Sequence, residues 1–146
     1  MAITFTTSHL DSAVGIEVPN IYCRVATYEM KSRDANGPFT RDESGNETDT
    51  LDTNHPNYKA AHIQLTYGVI LHRTEGARNG AREEMQYWPN RVRCILIDRF
   101  KFDVTLADME ANTVNPYKLI YANLKTQIAA IRVDGSAIVS SIADAI

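Results

Sequence analysis

The sequence predicts an α+β fold: an antiparallel β-sheet with long hairpin strands, packed by one C-terminal amphipathic helix. Three observations lead there. Apolar and polar side chains alternate through roughly 20–31, 60–72 and 91–104, the period of a half-buried strand. After Asn115 the apolar spacing changes to steps of three and four, the period of a helix. No self-similar repeat or internal boundary interrupts that order, so 1–146 reads as a single domain, strands first and a packing helix last.

The first strand puts Ile21, Cys23, Val25 and Thr27 on one face and Tyr22, Arg24, Ala26 and Tyr28 on the other. Pro19 has no N–H to give to a ladder, so it is expected where pairing begins or on an edge. From Arg33 to Asn57 the alternation stops. Asn36-Gly37-Pro38, Ser44-Gly45-Asn46 and His55-Pro56-Asn57 are turn chemistry, and six acids against Arg33 and Arg41 give a local charge of −4. This segment, 33–57, is expected to be a long loop.

Alternation returns with Ala61, Ile63, Leu65, Tyr67, Val69 and Leu71 on one face and His62, Gln64, Thr66 and His72 on the other. It returns again with Val92, Cys94, Leu96, Phe100 and Phe102, interrupted by Asp98. The simplest pairing of these two is an antiparallel hairpin with a long loop, 73–90, at its tip. Within that tip Ala81 to Tyr87 has the composition for a turn or two of helix. Asn115-Pro116 reads as an N-cap with proline at the first helical position. Tyr117, Ile120, Tyr121, Leu124, Ile128 and Ile131 form the stripe, and Asp134-Gly135 the stop. Ile138, Ile142 and Ile146 then give a second, shorter helical stripe, too short to hold a helix unaided. The tail, 137–146, is therefore expected to dock at a subunit contact.

The chain is 146 residues, 44% hydrophobic and 23% charged, an ordinary globular composition. With 15 basic and 18 acidic residues its net charge is −3, which gives no general attraction for nucleic acid or an anionic membrane. No apolar run approaches the ~18–20 residues of a membrane span. Met1-Ala2-Ile3-Thr4-Phe5-Thr6 lacks the basic and apolar regions of a signal peptide. A soluble intracellular domain is the expectation.

Catalytic chemistry has little to stand on. His62 and His72 share a strand face but lie ~33 Å apart at strand rise, too far for one metal. His9 and His55 sit in turn-like segments with no ligand spacing around them. Asp42-Glu43-Ser44-Gly45-Asn46-Glu47 lacks the alternate-position ligands of a calcium loop. Cys23 and Cys94, on apolar faces, are expected as buried free thiols. No phosphate-binding glycine loop, nucleophile elbow or metalloprotease motif is present. No catalytic residue, cofactor or metal ligand is expected.

One basic-aromatic cluster stands out. Arg73, Arg78, Arg82, Arg91 and Arg93 surround Tyr87 and Trp88, and the three glutamates of 73–93 leave a charge of +2. That is thin for nucleic acid, whereas Arg, Tyr and Trp are the residues of interface hot spots. The expected interface residues are Arg78, Arg82, Tyr87 and Trp88, with Ile138, Ile142 and Ile146 of the tail.

Two segments carry a resemblance. Val18-Pro19-Asn20-Ile21-Tyr22-Cys23-Arg24-Val25 resembles the opening strand of small virion structural proteins of tailed bacteriophages. Asn115-Pro116-Tyr117-Lys118-Leu119-Ile120-Tyr121-Ala122-Asn123-Leu124-Lys125 resembles their closing helix, which runs Pro-aromatic, then Leu, Tyr and Leu-Lys. The likeness covers 19 of 146 residues, and the chain departs from it in the acidic insertion, the arginine-bearing tip and the Ile-rich tail. The resemblance implies a non-enzymatic virion component, foremost a tail, baseplate or fibre-attachment protein mediating subunit contacts. A capsid cement (decoration) protein or a small host-directed binding domain is the alternative. Its partners would be other virion proteins, in a homo-oligomer or a symmetric hetero-assembly, with no nucleic acid and no membrane. Its place would be the virion, after synthesis in the host cytoplasm.

Overall fold

The computed structural model describes residues 1–11, 13–76, 91–112 and 115–145. They form a mostly antiparallel β structure with a few helices. The main sheet holds β1 (Ala2–Leu10), β2 (Ala13–Arg33), β5 (His62–His72), β6 (Arg91–Val92), β7 (Arg99–Thr105) and β10 (Val139–Ala145). Its order is β10-β1-β2-β5, and the far side of β5 is shared: β7 pairs with His62–Gly68 and β6 with Leu71–His72. Two hairpins stand outside it, β3 (Phe39–Arg41) with β4 (Glu47–Leu51) and β8 (Arg132–Val133) with β9 (Ser136–Ala137). Helix α1 is Leu106–Ala111 and α2 is Tyr117–Ala130.

Strand β2 is 21 residues long and its register shifts three times, twice against β1 and once against β5, which is what lets so long a strand keep one face on one core. Its register against β1 jumps between Phe5↔Ile21 and Thr7↔Val18, so Pro19 and Asn20 form a bulge, with Asn20 at φ 56°. Pro19 thus sits at a bulge just before Tyr22↔His72, where pairing with β5 begins, so β2 is an edge there on that side, as expected, and the missing N–H interrupts no ladder bond. A further jump against β1 lies between Thr7↔Val18 and His9↔Val14, and the jump against β5, between Val25↔Val69 and Thr27↔Gly68, leaves Ala26 as the extra residue. The alternation therefore changes phase. Ile21, Cys23 and Val25 face the core as expected, but beyond the bulge it is Tyr28, not Thr27, that packs inward.

Strand β5 matches its alternation: Leu65, Tyr67, Val69 and Leu71 are buried on one face. The expected third strand is divided. Ile95-Leu96-Ile97 breaks the period, a turn closed by Ile97 N–H to Cys94 O (2.9 Å) intervenes, and β6 and β7 result. β1, whose Ile3, Phe5 and Thr7 are buried, is an element that the alternation does not predict. Nor does it predict α1, which starts where Thr105 Oγ1 accepts the Asp108 N–H at 3.1 Å.

Helix α2 has the expected stripe: Ile120, Tyr121, Leu124 and Ile128 are buried, and the helix packs across β1, β7 and β10. At ~1.5–3 kcal/mol for each fully buried apolar side chain, this stripe rather than capping holds the helix. Indeed the predicted cap is not used: no side chain caps the first turn, and Tyr117 remains substantially exposed, stacked edge-on against Tyr28 at 5.1 Å.

The C-terminal segment corrects the sequence reading. Helix α2 ends at Ala130, before Asp134-Gly135, and those two residues, at φ 50° and 79°, are the turn between β8 and β9. Positive φ at both central positions is the tight hairpin turn that Asp-Gly favours. The tail beyond this hairpin is a strand and not a second helix. β10 pairs antiparallel with β1, and a bulge at Ser141 (φ 51°) puts Val139, opposite Thr7, and Asp144, opposite Ile3, on the same face. Ile138 is buried in the chain's own core and Ile142 packs against it, so neither is left exposed for a neighbour to cover.

The acidic segment also differs from expectation. It is an ordered excursion rather than a plain loop, in which β3 and β4 pair around a turn built on Asp42. One Asp42 carboxylate oxygen accepts the N–H groups of Ser44 and Asn46, both at 2.9 Å, and Arg41 donates to Gly45 O at 2.8 Å. The Thr40 and Thr48 hydroxyls bond across the strands. At its base Asn36 and Lys59 exchange backbone bonds of 2.9 and 2.8 Å, beside Gly37, where any Cβ would fall 2.9 Å from Tyr58 Cα.

Candidate interaction surfaces

The groups that chemistry would need are scattered. Among the described residues no three His, Cys, Asp or Glu side chains converge on a metal-sized site. His62 lies 3.6 Å from Asp103, whose carboxylate Lys59 also contacts; that lysine hydrogen bond holds the carboxyl below the usual carboxylate range. This trio lies on the open face of β5 and β7, which α2 does not cover. At the other end of β5, Arg24 Nε donates to His72 Nε2 at 3.3 Å and Tyr22 leans on the same ring. His55 Nδ1 accepts the Asn57 N–H at 3.1 Å, a local turn contact, and the His9 backbone N–H donates to Thr7 Oγ1 at 3.2 Å.

Buried polar chemistry serves the fold. The Tyr121 hydroxyl accepts the Val25 N–H at 2.8 Å and donates to Met1 O at 2.7 Å. The bulge at Ala26 aims the Val25 N–H out of the ladder, and Tyr121 receives it. Tyr67 donates to Asn123 Oδ1 at 2.8 Å, and burial pushes its phenol up. Cys23 and Cys94 are buried free thiols; burial pushes Cys23 up to about 12 and raises Cys94 as well. Neither is placed as a nucleophile.

Of the expected interface residues, Arg78, Arg82, Tyr87, Trp88 and Ile146 lie outside the described residues. Ile138 and Ile142 belong to the core. A different set is exposed. Apart from Met1, the large exposed apolar side chains sort by the end of the sheet they occupy. Val14 and Ile16 project from the β1–β2 turn beside Ile95 and Leu96. The two segments are tied by Asp11 N–H to Arg93 O (3.0 Å) and Ile95 N–H to Asp11 Oδ1 (3.2 Å). At the opposite end stand Met30 near the far end of β2, Leu106 immediately after β7, Tyr117 against Tyr28, and Phe39 in the excursion. Exposure reaches 64% at Ile16 and 70% at Ile95, where burial would be the apolar default.

Sequence periodicity misses these because it assigns Leu96 to a strand face. The available signal is the apolar run Ile95-Leu96-Ile97, which no strand with one solvated face can bury on a single side. No described helix is long and apolar enough to cross a membrane, which says nothing of strands. Compared with protein-family models, with curated proteins and with solved structures, the chain matches none of them.

Proposed function

We propose that this chain is a non-enzymatic structural component of a tailed-phage virion, a tail, baseplate or fibre-attachment protein that mediates subunit contacts. The observation that carries the reading is the contact between the two segments that resemble such proteins. Val18–Val25 lies in the second strand of the sheet and Asn115–Lys125 opens the helix that packs across β1, β7 and β10 of the same sheet, and the Val25 N–H to Tyr121 Oη bond joins them. Segments 96 residues apart in sequence are thus one packing unit, as a strand-and-closing-helix pattern requires. The reading takes the fold as α+β, long hairpin strands packed by one C-terminal amphipathic helix.

Exposed apolar groups at both sheet ends favour a protein whose work is contact with neighbours. In this reading the protein resides in the virion after synthesis in the host cytoplasm, and its partners are virion proteins. The test is mass spectrometry of purified particles. Recovery of the chain at a fixed ratio to the major structural proteins is expected; particles complete without it would overturn the proposal.

A further inference from the structure

We infer that the open face of the main sheet binds the phosphate backbone of single-stranded nucleic acid. The pairing of β2, β5 and β7 settles which side chains share that face. Its rows run Arg33–His62–Thr105, Lys31–Gln64–Asp103, Glu29–Thr66–Lys101 and Thr27–Gly68–Arg99. Beyond the Ala26 bulge Arg24 stands opposite Ile70, and His72 between Tyr22 and Arg91. Contacts across the face agree: Arg33 donates to Gln64 Oε1 at 3.0 Å, His62 lies 3.6 Å from Asp103, and Arg24 donates to His72 at 3.3 Å. Leu65, Tyr67 and Val104, one position out of phase, are buried in the core on the other side.

The charge of −3 that gives the whole chain no general attraction for nucleic acid is unevenly spread. On this face six cations, Arg24, Lys31, Arg33, Arg91, Arg99 and Lys101, stand against two carboxylates, Glu29 and Asp103, a sum of +4. Exposed acids lie at its margins: Asp34 and Asp98 beside Arg33 and Arg99 in sequence, and Asp11, Glu17 and Glu75 past the Tyr22 row. Counting these with the marginal cations Lys59, Arg73 and Arg93 still leaves +2. Both carboxylates of the face are engaged, Glu29 by Lys31 at 3.5 Å and Asp103 by Lys59. Arg91, Arg99 and Lys101 are exposed and have no ionic partner among the described residues. Beside Arg99 lies a hollow of about 180 Å³, lined by Thr27, Thr66 and Gly68 among others. It exists because position 68 has no side chain; a Cβ there would stand 3.2 Å from Thr27 Oγ1. Hydroxyls and a guanidinium around such a hollow are ligands for a phosphate.

What the face lacks selects the class of polyanion. A protein contact draws its affinity from buried aromatic and aliphatic anchors. Here the half-buried Ile70 and Tyr22 lie at one end, and the four rows from Arg33 to Arg99 hold none. Those rows offer Arg, Lys, Thr and Gln, the groups that contact phosphate and sugar. At ~3.4 Å per residue the face runs roughly 35 Å along β5, the length of about ten stacked nucleotides. The strip twists with its sheet. A flexible single strand can follow that twist, whereas a duplex, with a persistence length of about 50 nm, cannot.

This goes beyond the virion reading and is tested on the purified chain, whatever particles contain. Fluorescence anisotropy at low salt compares labelled oligo(dT) of about fifteen nucleotides, its duplex with oligo(dA), and polyglutamate of similar charge. The single strand should bind at least about tenfold tighter than either of the others. With four phosphates neutralised, a fourfold rise in salt should weaken that binding roughly 50-fold. Arg99→Glu with Lys101→Glu reverses two exposed charges of the face, and Lys118→Glu with Arg132→Glu makes the same change of net charge away from it, on α2 and β8. The first pair should lower affinity at least about thirtyfold and the second less than about threefold. Should the first pair alter the thermal melt, Arg99→Gln with Lys101→Gln carries the same comparison. No binding of oligo(dT) by the unmodified chain, duplex or polyglutamate bound as tightly, or equal losses from the two pairs would each overturn the inference.

Discussion

Tyr121 is the residue at which sequence, fold and stability meet. Its hydroxyl satisfies an N–H that a bulge has turned out of the β2–β5 ladder, inside a core where water cannot substitute. Tyr121→Phe keeps the ring and strands the Val25 donor, so it should cost about 1–3 kcal/mol in urea unfolding, against nearly nothing for Tyr58→Phe in the excursion. Equal midpoints for the two would remove the hydroxyl from the account. Cys23 tells the complementary story. Its thiol, ordinarily near 9, is pushed up to about 12 by burial, so between those values the unfolded chain ionises while the folded one does not. The contribution is fully present below pH 9 and is lost as pH rises toward 12. Correspondingly, a thiol reagent at pH 8 should label neither cysteine in the native chain and both in denaturant; rapid native labelling would contradict the burial of either.

At the scale of elements, α2 and β10 stand as one unit, joined by Lys125 to Asp144 at 2.9 Å and by packing against β1. Leu124→Ala should cost ~2–5 kcal/mol, and Lys118→Ala, on the exposed side, under ~0.5 kcal/mol. Deleting 139–145 should lower the melting temperature of the domain sharply, since it uncovers β1 and empties the positions of Val139 and Ile142. A melt left unchanged would return the tail to a docking role. The sequence signal here is ambiguous for a physical reason: Ile138, Ile142 and Ile146 are four apart, a spacing common to helix and strand. The Asp-Gly pair marks a hairpin turn and the β-branched Ile138-Val139 favours strand, whereas the Ser141 bulge that sets which side chains face inward leaves no periodic trace. Strand β5 and helix α2 are legible because each obeys one period throughout. β2 is legible only as far as its bulge, and the exposed ends are not legible at all, since exposure depends on what the fold leaves uncovered.

The whole molecule divides into a sheet that folds on its own contacts and an excursion that borrows little from it. No residue of 34–61 is buried, and among the described residues the side-chain tie from it to the sheet is Lys59 to Asp103, an exposed pair of small worth. Its ends, moreover, are already neighbours, because Arg33 and His62 are partners in the β2–β5 ladder. A two-residue Asn-Gly turn can close such a pair directly. Replacing 34–61 with Asn-Gly should therefore leave the sheet folded and shift its stability by no more than ~1 kcal/mol. The gain from a shorter closed loop, about 2 kcal/mol, offsets the lost surface contacts. Circular dichroism and urea unfolding of the shortened chain check this, and loss of cooperative unfolding would place part of the core in the excursion. The same change removes six acids against Arg41 and Lys59, so net charge moves from −3 to +1. A domain that remains folded without the excursion would show that nothing in the stability of the sheet accounts for the excursion's presence.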